Sequence, residues 1–284
     1  MTVKRLGVVG SGIMGSGIAE VAAKAGIEVV LRSRQQHTAD AMVASLEKSL
    51  AKQVGRGKLE EAEREAVLGR VRAVSDLGEL ADCDIVLESI VEDLATKKHL
   101  FNELDGIVKD TAILATNTST LPVVEMAMET ARPELVCGIH FFNPAPMMPL
   151  VEVVRAITTG DATVTTARGF AEMCGKNPVE VRDQAGFIVN ALLFPYLNNA
   201  VRLYDAGVAS RDDIDAAMQG GCNFPMGPLA LLDLVGLDTS LAILEALYTE
   251  FKDPNYAPAP LLRRMVSADR LGRKSGAGFY DYQK

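Results

Sequence analysis

The chain reads as an α/β domain built on a doubly wound, mostly parallel sheet, followed by an all-α domain. Three observations predict this. Residues 1–31 run strand, glycine turn, alanine-rich helix, strand. Short β-branched runs then alternate with helical patterns as far as Asp183, and residues 186–284 keep a helical period with almost no β-branched alternation. The expected division is a first domain at 1–184 and a second at 185–284.

In order, Lys4 to Val9 is the opening strand, Gly10 to Gly15 a glycine turn, the stretch to Lys24 a helix, and Ile27 to Leu31 the second strand, one βαβ unit. Two helices follow over about 36–70, a hairpin broken at Gly55-Arg56-Gly57. Further strands are expected at about 71–74, at Ile85 to Glu88 and at Ala112 to Ala115, with helices at about 94–108 and 122–130. Leu135 to Ile139 and Leu150 to Val154 are two more strands. The prolines at 144, 146 and 149 forbid both helix and ladder pairing in the segment between them. Asn177 to Val181 supplies a last strand. In the second domain Ser210 caps a helix with an acidic first turn, and Leu241, Leu244, Leu247, Tyr248 and Phe251 form one stripe expected to be buried.

Composition narrows the function classes. A net charge of −8 argues against nucleic acid as the main partner. A mean hydropathy of +0.14, with no run of about 18 apolar residues, gives no membrane span. The first residues lack the apolar core of a signal peptide, so the cytoplasm is the default expectation. Four cysteines without CxxC spacing read as small buried thiols, and three scattered histidines argue against a structural metal.

Gly10, Gly12 and Gly15 make G-x-G-x-x-G, enclosing Ile13 and Met14, directly after a strand and at a helix start. In that context the glycines permit a tight turn and let a pyrophosphate approach free N–H groups at the helix N-terminus, as in a Rossmann-type domain. An NAD site normally places a carboxylate after the second strand to hold the ribose 2′-hydroxyl. This chain has Arg32-Ser33-Arg34, two guanidinium groups and a hydroxyl suited to a 2′-phosphate, so the expected cofactor is NADP. If those arginines point to solvent, NAD is the alternative.

His140 follows one strand and Glu152 sits at the centre of the next, an apolar run of the kind buried on both faces. A charge there needs a partner, and His140 is the expected one. A histidine with a pKa near neutrality can give and take a proton in both directions of a hydride transfer, and the carboxylate would fix its tautomer. Glu152 on an edge strand facing water is the competing reading. Ser119 follows a strand end where ligands of open α/β sheets bind, or else it caps a helix. Asn190, in the first turn of a helix after Gly186, is either a group closing the site from the second domain or a buried structural amide. Lys48, Lys52, Arg56 and Lys58 could grip phosphates or form a solvated helix face.

With these residues placed, the chain resembles the 3-hydroxyacyl-CoA dehydrogenase family, in particular short stand-alone 3-hydroxybutyryl-CoA dehydrogenases. The resemblance runs nearly end to end. Its carriers are Gly10 to Gly15, ATNTST at 115–120, GIHFFNPAPMMPLVEVV at 138–154, GFIVNALL at 186–193, FPMGPLALLDLVGLD at 224–238 and GRKSGAGFYDY at 272–282. It implies His140 as general acid/base, Glu152 as its orienter, and Ser119 and Asn190 as substrate-binding groups. It also implies Glu92, Lys97, Asn117, Ser119, Asn143 and Lys274 beside the cofactor, and Lys52, matched loosely, on CoA. An acyl-CoA substrate and a homodimer formed through the helical domain follow from the same resemblance. Two departures stand out: Ser33 replaces the family's usual acidic residue, and the usual VEN triplet is Val91-Glu92-Asp93. Rival readings are a same-fold dehydrogenase of a free 3-hydroxy acid or a carrier-protein thioester, and a non-catalytic member comparable to lens lambda-crystallin.

Overall fold

The computed structural model describes residues 2–282, which divide into two compact units between Asp183 and Gln184. The first unit opens with β1 (Arg5–Val9), α1 (Ile13–Lys24) and β2 (Glu28–Arg32), then the hairpin α2 (Gln36–Gly55) and α3 (Glu61–Gly69). It continues through β3 (Val71–Val74), β4 (Ile85–Glu88), α4 (Leu94–Asp105), β5 (Ile113–Thr116) and α5 (Val123–Ala127). It closes with β6 (Val136–Phe141), β7 (Leu150–Arg155), α6 (Asp161–Met173) and β8 (Asn177–Arg182).

These strands form one eight-stranded sheet in the order β3-β2-β1-β4-β5-β6-β7-β8. The order reverses between β1 and β4, the switch point at which open α/β sheets bind ligands beyond their strand ends. Apolar strands such as β4, β5 and β6 are buried along their whole length, because helices cover both faces of the sheet. One core, from Leu6 and Ile18 through Leu87 and Ile139 to Phe170, binds sheet and helices together.

In the sheet, two expectations need correction. An apolar run of the kind buried on both faces, as β7 is, suits a parallel strand, yet β7 pairs antiparallel with β6 and parallel only with β8. The connection 142–149 is too short for a parallel crossover, which takes a dozen or more residues. The β6 strand also runs past Ile139 to Phe141, so His140 lies inside the ladder and not after it.

The second unit is helical: α7 (Val189–Asp205), α8 (Arg211–Cys222), α9 (Pro228–Val235), α10 (Leu237–Phe251) and α11 (Pro260–Ser267). Ser210 caps α8 by accepting from the Asp213 N–H. In α10, Leu244 and Leu247 are fully buried with Leu241 and Phe251 packed beside them, but Tyr248 is exposed, with Lys252 over its ring. The five-residue stripe is therefore one residue too wide. Asp215 and Asp233, both buried, fasten chain segments here: Asp215 accepts from the N–H groups of Leu229 and Ala230 and caps α9, and Asp233 accepts from those of Phe279 and Tyr280.

Candidate active site

Antiparallel register sets His140 directly opposite Glu152. Cross-strand neighbours of this kind have Cβ atoms within about 5.5 Å, so the side chains meet on one face. His140 Nδ1 lies 2.8 Å from Glu152 Oε2, and Ser119 Oγ lies 3.1 Å from His140 Nε2. Glu152 is 0% and His140 4% exposed, so the edge-strand reading of Glu152 fails: β7 is flanked on both sides. With a proton on Nδ1 facing the carboxylate, Nε2 is left to accept from the serine hydroxyl or to carry a transferable proton. The ring of Phe142 packs 4.5 Å from the imidazole, centroid to centroid.

Ser119 is held by a polar chain that sequence reasoning missed in part. Its N–H donates to Glu92 Oε1 at 3.0 Å, and Thr118 Oγ1 donates to the same oxygen. Glu92 Oε2 pairs with Lys97 Nζ at 3.1 Å, and Lys97 pairs in turn with Glu88 at 2.6 Å. Glu88, at the end of β4, also accepts from Thr116 Oγ1 and the Ile90 N–H, so both carboxylate oxygens are occupied. Glu88 and Lys97 are 0% and 1% exposed. The missed signal was a carboxylate closing the apolar run Ile85-Val86-Leu87, the same pattern that drew attention to Glu152. Ser119 does not cap α5; the Asp183 carboxylate does, accepting from Val123 and Val124. Asn117 Oδ1 accepts from the Phe141 N–H and ties β5 to β6 beside the histidine. Asn143 is exposed at the start of the 142–149 connection.

The glycine turn sits at the switch point. Gly10 has φ +136°, and a Cβ there would lie 2.2 Å from the Ser89 carbonyl oxygen; one on Gly15 would lie 2.3 Å from the Gly10 oxygen. A Cβ on Gly12 would meet nothing within 4 Å, so that glycine leaves open space at the N-terminus of α1, whose first turn carries no acidic residue. This is the cradle a pyrophosphate requires. One hollow beside it is lined by Gly10, Gly12, Arg32, Ser33, Arg34, Thr38 and Ile90 among others. Ser33 is buried and bonded to Thr38 Oγ1 at 2.6 Å, and Arg32 Nε donates to the Ser75 carbonyl. Burial lowers the Arg32 pKa from its ordinary value, and neighbouring Arg34 adds to the effect. Arg34 is exposed.

On the other side of the turn, a cavity of about 460 Å³ lies between Ile13 and Gly17 of α1, Ser45 and Ser49 of α2, and Pro144 to Pro146. Ile13 projects there with its side chain exposed, whereas Met14 packs on the core. Lys52 lies one turn beyond Ser49 on α2, and it, Lys48, Arg56 and Lys58 are all exposed. In the second unit, Asn190 is the second residue of α7 and buried. Lys274 Nζ bonds Asp238 at 2.6 Å. Burial alone would raise the Asp238 pKa, but Lys274 and backbone donors hold it below the ordinary value. Among the described residues no group of His, Cys, Asp and Glu side chains could hold a metal ion, and no helix is long and apolar enough to cross a membrane.

Comparison with known proteins agrees with this geometry along the whole chain. Residues 5–184 match the model of the 3-hydroxyacyl-CoA dehydrogenase NAD binding domain, and residues 186–282 match that family's C-terminal domain. The chain is 48% identical to a 3-hydroxybutyryl-CoA dehydrogenase of Mycobacterium tuberculosis over 282 residues, covering 99% of each. It is 48% identical to one of Clostridioides difficile over 280 residues, covering 99% of this chain and 100% of that one. The crystal structure of (S)-3-hydroxybutyryl-CoA dehydrogenase from Ralstonia eutropha superposes with a TM-score of 0.97 at 41% identity, each chain fully covered. Matched in both domains and over nearly every residue, the chain belongs to the 3-hydroxyacyl-CoA dehydrogenase family.

Proposed function

We propose that the protein interconverts (S)-3-hydroxyacyl-CoA and 3-oxoacyl-CoA, with short chains such as 3-hydroxybutyryl-CoA and acetoacetyl-CoA as substrates and NADP(H) preferred over NAD(H). The carrying observation is His140 held between Glu152 at 2.8 Å and Ser119 at 3.1 Å. When bound, the nicotinamide cofactor supplies or removes the hydride at the substrate's C3. His140 gives a proton from Nε2 to the C3 oxygen in the reductive direction and takes it back in the oxidative one. Glu152 keeps the proton on Nδ1 and offsets the imidazolium charge, and Ser119 donates toward the oxygen on which negative charge develops. Asn190 is assigned by the family resemblance to a second substrate oxygen. The intact set of His140, Glu152, Ser119 and Asn190 disfavours a non-catalytic, crystallin-like role.

The preference for NADP rests on the hollow after β2. A carboxylate would repel a 2′-phosphate; here buried Ser33 stands in its place and the exposed Arg34 lines the same hollow. The CoA reading rests on the cavity beside α1 and α2, where Ser45, Ser49 and Lys52 follow one another on one helical face with the cation outermost. A homodimer through the helical unit is supported by Leu192, Tyr196, Asn199 and Leu203, which line up along α7 with Leu192 and Leu203 exposed beside Val208. In light scattering the expected mass is twice 30.4 kDa, and Leu203→Glu is expected to return it to 30.4 kDa.

Initial rates with acetoacetyl-CoA and saturating NADPH or NADH test reaction class and cofactor together. A higher kcat/KM with NADPH is expected. A lower KM and higher turnover with NADH would refute the cofactor reading, and equal kcat/KM for acetoacetyl-CoA and its pantetheine analogue would refute the CoA grip.

A further inference from the structure

Lys176, in the turn between α6 and β8, is 7% exposed, yet its ammonium meets no carboxylate among the described residues. Its Nζ donates to two backbone carbonyls instead, Ala145 at 2.7 Å and Met148 at 3.0 Å. Burying a cation is costly even after relaxation, and two carbonyl dipoles offset that cost only in part. Burial accordingly lowers the lysine's pKa, and the positive charge of Lys24 adds to the effect. An apolar side chain of similar length would fill the space at less cost, so the lysine is informative through what it holds.

Both carbonyls belong to the connection 142–149, which leaves β6 one residue after His140 and returns as β7 two residues before Glu152. Prolines at 144, 146 and 149 remove N–H groups from it. Its own backbone bonds are those of the Met147 and Met148 N–H groups to the Pro144 carbonyl, and the Pro149 carbonyl accepts from Asn177. Pro144, Ala145 and Pro146 form one wall of the cavity beside α1 and α2, and a Cβ on Gly17 would lie 3.1 Å from the Ala145 Cβ. That wall therefore packs closely on α1, and its Ala145 and Met148 carbonyls are fixed by one buried charge.

We propose that Lys176 is a positioning residue for the acyl-CoA substrate: it pins the 144–148 segment so that the cavity wall keeps the shape the thioester arm requires. The proposal rests on the reading of that cavity as the substrate side of the site. Lys176→Met removes the donors and keeps the length, and Lys176→Gln keeps an uncharged donor. In Lys176→Met, the KM for acetoacetyl-CoA is expected to rise about tenfold, with kcat and the KM for NADPH nearly unchanged. Amide hydrogen exchange in the peptide 141–151 is expected to quicken, and Lys176→Gln should fall between. An unchanged acetoacetyl-CoA KM, or a loss in which kcat and both KM values worsen together with Tm, would overturn it. The exchange comparison needs no turnover: if the wild type failed to reduce acetoacetyl-CoA the functional reading alone would fall, whereas unchanged exchange overturns the pin in either case.

Discussion

Replacing Glu152 by Gln removes one charge from beneath the imidazole and leaves the shape of the buried side chain. The carboxylate is fully buried, 2.8 Å from His140 Nδ1. With charge centres about 4 Å apart and an effective dielectric constant near 20, the imidazolium loses about 4 kcal/mol of attraction. A neutral hydrogen bond from the Nδ1–H to the amide oxygen returns roughly 1 kcal/mol. The remaining deficit of about 3 kcal/mol corresponds to about a 10²-fold fall in the step that creates the charge. If the amide turns its NH₂ toward Nδ1, the tautomer reverses and the loss approaches about 10⁴-fold, as in a triad whose aspartate becomes asparagine. The assay is NADPH oxidation with saturating acetoacetyl-CoA, with Tm measured on the same preparation. A kcat within threefold of wild type at unchanged Tm would refute the coupling between the two side chains.

Other consequences follow from particular side chains. Arg34→Ala should raise the KM for NADPH by about tenfold or more, the loss of one charge-assisted phosphate contact, and leave that for NADH within twofold; equal effects on both would contradict a phosphate seat there. Asp84 accepts from the Lys4 and Arg5 N–H groups and from Lys109 Nζ; burial opposes the ionised form, but these donors outweigh it and hold the carboxyl below its ordinary pKa. Its stabilisation is therefore complete above the unfolded-state value, about 3.9, and is lost as pH falls through the lower folded-state value. Asp84→Asn should cost about 1–2 kcal/mol in urea unfolding at pH 7, with the difference from wild type shrinking only below about pH 4. Burial pushes the thiols of Cys83, Cys137 and Cys174 up to about 12, whereas Cys222 is exposed. One thiol of the native protein should react rapidly with a disulfide reagent at pH 8 and four after unfolding; two fast thiols would contradict the packing.

The parts of the fold and site legible in the sequence were those carried by local pattern. Gly10 to Gly15 marked a turn because its glycines meet a backbone approach, and Glu152 marked the site because a charge in an apolar strand demands a partner. The pairing direction of β7 was concealed by its all-apolar flanks, which suit a parallel strand equally well; only the shortness of 142–149 distinguishes the two. Glu88 stayed hidden, and Lys97 was named only through the family resemblance, because nothing local shows that Lys97 turns inward to meet the carboxylate at the end of β4. The Asp183 cap on α5 and the Lys176 grip on Ala145 join residues 59 and 31 positions apart, respectively, beyond any periodicity. Cys222 was assigned to the interior on residue type and Tyr248 on helical spacing, and both are exposed.

His140→Ala, compared with wild type for acetoacetyl-CoA-dependent NADPH oxidation, bears most directly on the proton-transfer role of the histidine. A loss of at least about 10²-fold in kcat, with cofactor binding retained, is the expected result. Turnover within threefold of wild type would contradict it.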